Sequence, residues 1–253
     1  MSRGSVQIVS SPTENPISLA AGVRTGHSFR HQQGIVEGTP ASGWSTIWRR
    51  GQTTGAQLYP WYDAALSSVI VVSASTADTT AITIEGLDIN YAVQTETLTL
   101  NGTTDVVGTK NFRRIYHAHM SGNASNVGEI KVEVYHVGDN AYFPVATISP
   151  GLGQSQQAAY TVPAGHTAFL TSITAGSSKE ESATQIALFA RELGGAFRIR
   201  TGFFLSLENV RHTYDTPLMF PEGTDIDLRT HASQAAIVSG SFDITLVSNK
   251  VLV

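Results

Sequence analysis

Residues 197–208, FRIRTGFFLSLE, alternate between apolar and polar side chains more regularly than any other stretch of the chain. One face carries the apolar residues Phe197, Ile199, Phe203, Leu205 and Leu207, and the other carries Arg198, Arg200 and Ser206. A period of two is that of a β-strand with one face against a core. The last such run, IVSGSFDITLV at 237–247, places Val238, Phe242, Ile244 and Leu246 on one face. Both stretches therefore predict half-buried antiparallel strands.

The same period extends outward through the rest of the chain. Strand-like runs occur at 67–75 (SSVIVVSAS), 96–105 (ETLTLNGTTD), 111–120 (NFRRIYHAHM) and 128–137 (GEIKVEVYHV). The run at 185–195, QIALFARELGG, fits a short helix or a strand, and we favour the strand because its surroundings are β throughout. The sequence therefore predicts an all-β protein.

Two similar corners, YTVPAG at 160–165 and LMFPEG at 218–223, each place Pro-x-Gly between an apolar residue and an alternating run. Proline ends the incoming strand because it cannot donate to the ladder, and glycine permits the turn. Equivalent corners favour a jelly-roll-like sandwich, and the Gly/Ser/Gln-rich stretch 148–157 marks a joint before it. The predicted organisation is an extended N-terminal arm at 1–62, a β-sandwich at 63–145 and a jelly-roll-like β-sandwich at 146–253.

Composition excludes several classes of protein. Hydrophobic residues make up 41% of the 253 residues and charged residues only 14%, with a net charge of -4. This profile disfavours a broad nucleic-acid-binding surface, and the absence of cysteine excludes disulfides and thiolate sites. No uninterrupted apolar run reaches the roughly 20 residues of a membrane span, and the N-terminus lacks the apolar core of a signal peptide. We therefore expect a soluble, unprocessed chain without a membrane or nucleic-acid partner.

All three tryptophans, Trp44, Trp48 and Trp61, lie within the predicted arm. Large aromatic side chains indicate burial against something, either the chain's own domain or a neighbouring subunit. We predict an assembly interface formed by Trp44, Trp48, Arg49, Arg50, Tyr59 and Trp61.

The histidines are the first candidates for chemistry. His117 and His119, two residues apart on one strand, point to the same side, and His136 on the next strand could complete a three-histidine metal site. His-x-His alone is common, so we favour polar surface or interface residues for this group. His166 and His231 are isolated near turns and are interpreted as surface histidines.

Acidic residues offer weaker candidates. Asp225 and Asp227 could form an acid pair, but Asp225 is expected to accept backbone hydrogen bonds at its corner. Glu180 or Glu181 could pair with a loop partner, and calcium loops are conceivable at Asp88 with Asn90 or Asp139 with Asn140. We interpret both of these as turns. No nucleophile elbow or phosphate loop occurs, so we predict no catalytic residues, no metal and no cofactor.

Several motifs together resemble structural proteins of tailed-bacteriophage virions. They are WSTIW at 44–48 ahead of Tyr59-Pro60-Trp61, SVIVVSASTADT at 68–79, IEGLDINY at 84–91, ETLTLNGTTDV at 96–106, FRRIYHAHMSG at 112–122, N-x-G-E-I at 126–130, YTVPAG at 160–165 and PEGTDIDL at 221–228. The resemblance implies a non-enzymatic capsid, neck, tail or baseplate accessory component with β-sandwich domains, used in several copies. It further implies contacts with itself and with other virion proteins, and assembly into the virion in the host cytoplasm.

Two other functions stay open at the level of sequence. A carbohydrate-binding or host-receptor-binding module requires an exposed aromatic platform or a metal-linked sugar pocket. A hydrolase on a β-sandwich requires an acid pair in a deep cleft. Neither arrangement can be read from spacing alone.

Overall fold

The computed structural model describes residues 19, 24–38, 43–50, 56–61, 68–122, 124–136, 140–179, 182–205 and 209–251. Sixteen antiparallel strands in four sheets form the architecture of this part of the chain. They are β1 (His27–Val36), β2 (Ser45–Thr46), β3 (Ser68–Ser73), β4 (Ala81–Leu87), β5 (Val93–Thr99), β6 (Val106–Asn111), β7 (Arg114–Met120), β8 (Ile130–His136), β9 (Ala141–Ile148), β10 (Ala159–Thr161), β11 (His166–Ser177), β12 (Thr184–Arg191), β13 (Arg198–Leu205), β14 (Val210–Phe220), β15 (Asp225–Ala232) and β16 (Val238–Ser248). The all-β prediction is confirmed, including the strand at QIALFAR. In the described ranges, no helix has the length and apolar character needed to cross a membrane.

Two of the sheets face each other and form what we call the large sandwich. One sheet has the order β1-β16-β11-β14, and the other has the order β10-β15-β12-β13, with β2 paired to β15. Alternating apolar residues from both sheets fill the space between them, with Tyr160, Phe220 and Phe242 among the largest fully buried side chains. The predicted inward face of 237–247 is confirmed, since Val238, Phe242, Ile244 and Leu246 are all buried.

The other two sheets form the small sandwich, with the orders β6-β3-β8-β9 and β5-β4-β7. Its separate core includes Val71, Ile84, Phe112, Ile130 and Val132. All of its strands lie between β2 and β10 in the chain, so the small sandwich is an insertion between strands of the large one. Its last strand ends at Ile148, beyond the predicted boundary at residue 145, because β9 pairs with β8 along its length.

The described part of 27–61 belongs to the large sandwich rather than to an extended arm. Strand β1 pairs with β16 over ten residues, from His27 opposite Val247 to Val36 opposite Val238. Ile47 lies in the core of the large sandwich, and Trp48 packs with Tyr59 and Ala159 in a smaller apolar cluster. These residues stay on their own chain because they complete its sheet edge and cover its apolar surface. The rest of the predicted arm, including residues 1–18, lies outside the described residues.

The two Pro-x-Gly corners lie side by side. The Val162 amide donates to the Thr224 carbonyl at 2.9 Å, and the Gly223 amide donates to the Val162 carbonyl at 2.9 Å. Gly165 and Gly223 adopt φ angles of 73° and 74°, which L-residues with a side chain rarely adopt. The similarity seen in the sequence therefore corresponds to two turns that stabilise each other.

The alternation predicted for 197–208 fails at one point. The pairing of β12 with β13 shifts between Leu188 and Phe189, so Ile199 lies opposite Phe189 and is 53% exposed. A one-residue shift moves a side chain to the other face of a sheet. Phe203 and Leu205 follow the prediction with partly buried and buried side chains, whereas Ser206 and Leu207 lie outside the described residues.

We predict that Trp48→Ala destabilises the protein by about 3–5 kcal/mol, because an indole that is 1% exposed leaves a cavity when it is removed. Urea unfolding followed by circular dichroism measures the change. Leu193→Ala is the matched control, since Leu193 is 65% exposed and its truncation should change stability by about 0.5 kcal/mol or less. Equal effects of the two substitutions would show that Trp48 is not part of the packed interior.

Candidate functional site

The boundary between the two sandwiches holds a buried ion pair. Arg114, the first residue of β7 in the small sandwich, donates from Nε and Nη2 to the two carboxylate oxygens of Asp225 on β15, each at 2.9 Å. The side chains are 2% and 4% exposed. Arg191 donates to Asp225 Oδ2 at 2.6 Å, and the Thr161 hydroxyl donates to Oδ1 at 2.6 Å. Burial alone would lower the pKa of Arg114, but the hydrogen bonds and charge of Asp225 raise it above its ordinary value.

A second carboxylate on the same face of β15 is also enclosed. Asp227 Oδ2 accepts hydrogen bonds from Trp61 Nε1 and Arg229 Nε at 2.8 Å each, and from the Thr46 hydroxyl at 3.1 Å. Burial raises the pKa of Asp227, although Arg229, Trp61 and Thr46 oppose the shift. The expectation that Asp225 accepts backbone hydrogen bonds is wrong, because its two oxygens accept from the side chains of Arg114, Arg191 and Thr161. The pair lies in a packed layer and not in an open cleft.

The structure places the six residues of the predicted assembly interface in three environments. Trp48 and Tyr59 are buried within the chain, where the Tyr59 hydroxyl donates to the Ile115 carbonyl at 2.6 Å. Trp61 and Arg49 are partly buried and bonded to Asp227 and to Glu37. Trp44 and Arg50 are the remaining pair, and both are half-buried. The indole of Trp44 contacts Phe189, with ring centroids 5.2 Å apart, and His231, at 5.9 Å.

The sheet face that Trp44 contacts also carries exposed apolar side chains that were not predicted from the sequence. Phe204 on β13 is 68% exposed and lies opposite Gln185 of β12, which in turn lies opposite His231 of β15. Because Phe204, Gln185 and His231 lie in one row across three neighbouring strands, Phe204 is two strand spacings, roughly 10 Å, from His231, which Trp44 contacts. Ile199 lies on the same outer face. We call Trp44, Ile199 and Phe204 the outer patch. Its signal in the sequence is a large apolar residue, Phe204, at a position where alternation predicts solvent.

A polar cavity of about 330 Å³ lies between the two sandwiches. Residues 29–33 of β1 form one wall, residues 154–157 form another, and Glu85, Tyr116 and His117 contribute from the small sandwich. Such a cavity brings together side chains that are far apart in sequence. It is therefore the place where polar chemistry between the sandwiches is possible.

His117 and His119 share one strand face as predicted, and the acidic side chain of Glu85 lies beside both of them. Their rings stack with centroids 5.2 Å apart, and Glu85 Oε1 lies 3.5 Å from His117 Nδ1 and 3.6 Å from His119 Nδ1. His136, the histidine that spacing offered as a possible third ligand, belongs to β8 in the other sheet of the small sandwich. The pKa of Glu85 is lowered mainly by its contact with His117, while burial opposes this.

The remaining candidates are local. Asp88 Oδ1 accepts from the amides of Asn90 and Ala92 at 2.8 and 2.9 Å, which confirms the turn interpretation. Asn140 adopts a φ of 50°, and His166 Nδ1 lies 3.1 Å from the Ala164 carbonyl within its own corner. Asp139, Glu180 and Glu181 lie outside the described residues.

Comparison with known proteins identifies no family. No family model matches the chain, and no curated protein matches it. Among solved structures, it is similar to the VP2 subviral particle of infectious bursal disease virus, at 10% identity and a TM-score of 0.22, covering 88% of this chain and 73% of that one. The Gx strain of the same virus gives the same values, and the Gt strain gives 10% identity and a TM-score of 0.17, with 88% and 77% covered. These similarities are too low to identify a shared fold or function.

We predict that Arg114→Met destabilises the protein by about 3–5 kcal/mol, because the negatively charged Asp225 carboxylate stays buried while one of the two guanidinium groups that pair with it is removed. Chemical denaturation at neutral pH measures the change. Arg200→Met is the control, since Arg200 is 3.9 Å from Glu192 in an exposed pair and its loss should cost about 1 kcal/mol or less. The triple variant Arg114→Met, Arg191→Met and Asp225→Leu removes the carboxylate together with both of its guanidinium partners and should recover much of the loss. No recovery would show that the guanidinium of Arg114 contributes through packing rather than through its charge.

Proposed function

We propose that this protein is a non-enzymatic structural subunit of a bacteriophage particle, with contacts to copies of itself and to other virion proteins. The observation that carries the proposal is the strand order of the large sandwich. The sequence motifs that resemble virion structural proteins support the same role. The candidate positions are the capsid surface, neck, tail or baseplate.

The strand order supports a jelly roll. When the eight strands of the large sandwich other than the two-residue β2 are numbered along the chain, one sheet has the order 1-8-3-6 and the other has the order 2-7-4-5. This arrangement of two four-stranded sheets is that of a jelly roll, an architecture found in viral capsid proteins, lectins and cupins. The small sandwich is then an insertion between the first and second strands.

Of viral capsid proteins, lectins and cupins, the core of the large sandwich favours the viral capsid proteins. Tyr160, Phe220 and Phe242 are each at most 1% exposed and fill the space between the sheets. Cupins and similar barrels use such space to hold a ligand, whereas a filled interior leaves the outer surfaces for binding. Trp48 and Tyr59 are also buried, so they supply no aromatic platform for a sugar.

The outer patch is the surface that we assign to self-association. Phe204 and Ile199 are large apolar side chains at 68% and 53% exposure, and the half-buried Trp44 contacts Phe189, which lies opposite Ile199. Among the described strands, β13 pairs only with β12, so one backbone edge next to the patch lacks a neighbouring strand. Apolar anchors beside an unpaired edge are typical of a contact between protein subunits.

We predict that the full-length protein forms an oligomer larger than its 27.0 kDa chain and that Phe204→Asp raises the dissociation constant tenfold or more. A carboxylate at this position would have to lose its water in the interface. Mass measurement by light scattering across a dilution series gives the constant. Val107→Asp is the matched control, because Val107 is 60% exposed on strand β6 of the small sandwich.

The virion role has a separate test. Mass spectrometry of purified particles should detect the protein in several copies per particle, and the Phe204→Asp variant should be depleted from them. A wild-type protein that is monomeric at high concentration and absent from particles would contradict the proposal. Selective binding on a glycan array in that case would favour the carbohydrate-binding alternative.

A further inference from the structure

The geometry points to a binding site for a divalent transition-metal ion of the Zn²⁺ type, formed by Glu85, His117 and His119 on strands β4 and β7. These three side chains each bring one ligand atom within 4.8 Å of the other two. All three are partly accessible, so an ion from solvent can reach them. The site does not depend on the proposed virion role.

The backbone register explains how the three side chains meet. In the antiparallel pair of β4 and β7, Glu85 lies opposite His117, and Thr83 lies opposite His119. His117 and His119 are two residues apart and therefore share one face of the sheet. The register shifts between Glu85 and Gly86, and a Cβ on Gly86 would lie 2.1 Å from the Arg114 carbonyl oxygen. Only glycine allows this close approach, which holds Glu85 beside the histidines.

The distances fit a metal ion better than they fit a hydrogen bond. Glu85 Oε1 lies 3.5 Å from His117 Nδ1 and 3.6 Å from His119 Nδ1. Ordinary N–H···O hydrogen bonds join atoms about 2.7–3.2 Å apart. Ligand atoms about 2.0–2.2 Å from a tetrahedral Zn²⁺ lie roughly 3.3–3.6 Å from each other. The two distances from Glu85 Oε1 to the histidine nitrogens therefore match the spacing between two ligands of one tetrahedral ion.

His119 provides a second, independent observation. Its Nδ1 is buried and has no hydrogen-bond partner among the described residues. A buried polar atom without a hydrogen-bond partner is unfavourable, and coordination to a cation supplies the missing partner.

The donor set selects the class of ion. Two imidazoles and one carboxylate are ligands that Zn²⁺ and neighbouring transition metals bind, whereas Ca²⁺ and Mg²⁺ prefer oxygen ligands alone. Glu85 and His117 also line the polar cavity between the sandwiches, which leaves room for water as a fourth ligand. Arg30, on the β1 wall of the cavity, interacts with Glu85 and partly balances the charge of its carboxylate. We infer one ion per chain.

The test is zinc binding by the full-length, untagged protein. Isothermal titration with Zn²⁺ should give one site per chain, and metal analysis after dialysis should return the same stoichiometry. Glu85→Gln, His117→Ala and His119→Ala should each weaken binding tenfold or more. Co²⁺ should bind at the same site and give the visible absorption bands of a tetrahedral complex, which the three variants should lose.

Two control variants make the outcome specific. His136→Ala removes the histidine that spacing alone nominates, and Thr83→Ala alters β4 opposite His119 without removing a ligand. Both should bind Zn²⁺ as the wild-type protein does, with circular dichroism of the metal-free proteins verifying that every variant is folded. A folded wild-type protein that takes up no stoichiometric Zn²⁺, or a folded Glu85→Gln variant with unchanged affinity, would overturn the inference.

Discussion

A guanidinium and a carboxylate that are both withdrawn from water must be paired, because an unpaired buried charge costs several kcal/mol. Arg114 and Asp225 meet this condition across the boundary of the two sandwiches, 111 residues apart in the chain. Arg114 belongs to the small sandwich and Asp225 to the large one. This ion pair therefore exists only when the two sandwiches are packed together. The two-point geometry of the pair also restricts the rotation of one sandwich relative to the other.

The segment around Trp48 and Trp61 completes this boundary. Trp61 bonds to Asp227 and lies 5.5 Å below the guanidinium of Arg114, while Tyr59 reaches the backbone of Ile115 in the small sandwich. An apolar layer of indole and phenol rings excludes water from the ion pairs and thereby strengthens them. The aromatic residues near the N-terminus therefore act between the two sandwiches of one chain. Trp44 and Trp61 are partly accessible, whereas Trp48 is buried.

The insertion separates two kinds of surface. The large sandwich has a filled interior, and the outer face of β13 exposes two of its large apolar residues, Ile199 and Phe204. The small sandwich contributes polar groups, including Glu85 and His117, to a cavity that exists only because the two sandwiches meet. The exposed apolar side chains of β13 and the polar cavity thus occupy different places on one chain.

The alternation of apolar and polar residues in the sequence determined where the strands lie, because successive side chains of a strand point to opposite faces of the sheet. The runs at 237–247 and 185–191 follow this rule, and the similar corners at 160–165 and 218–223 occur as paired turns. Only the tertiary structure decided which strands became neighbours. That choice placed Glu85, and not His136, beside His117, and it shifted the pairing of β13 so that Ile199 turned outward. Register and long-range charge pairs depend on contacts between segments many residues apart, and local spacing contains no information about such contacts.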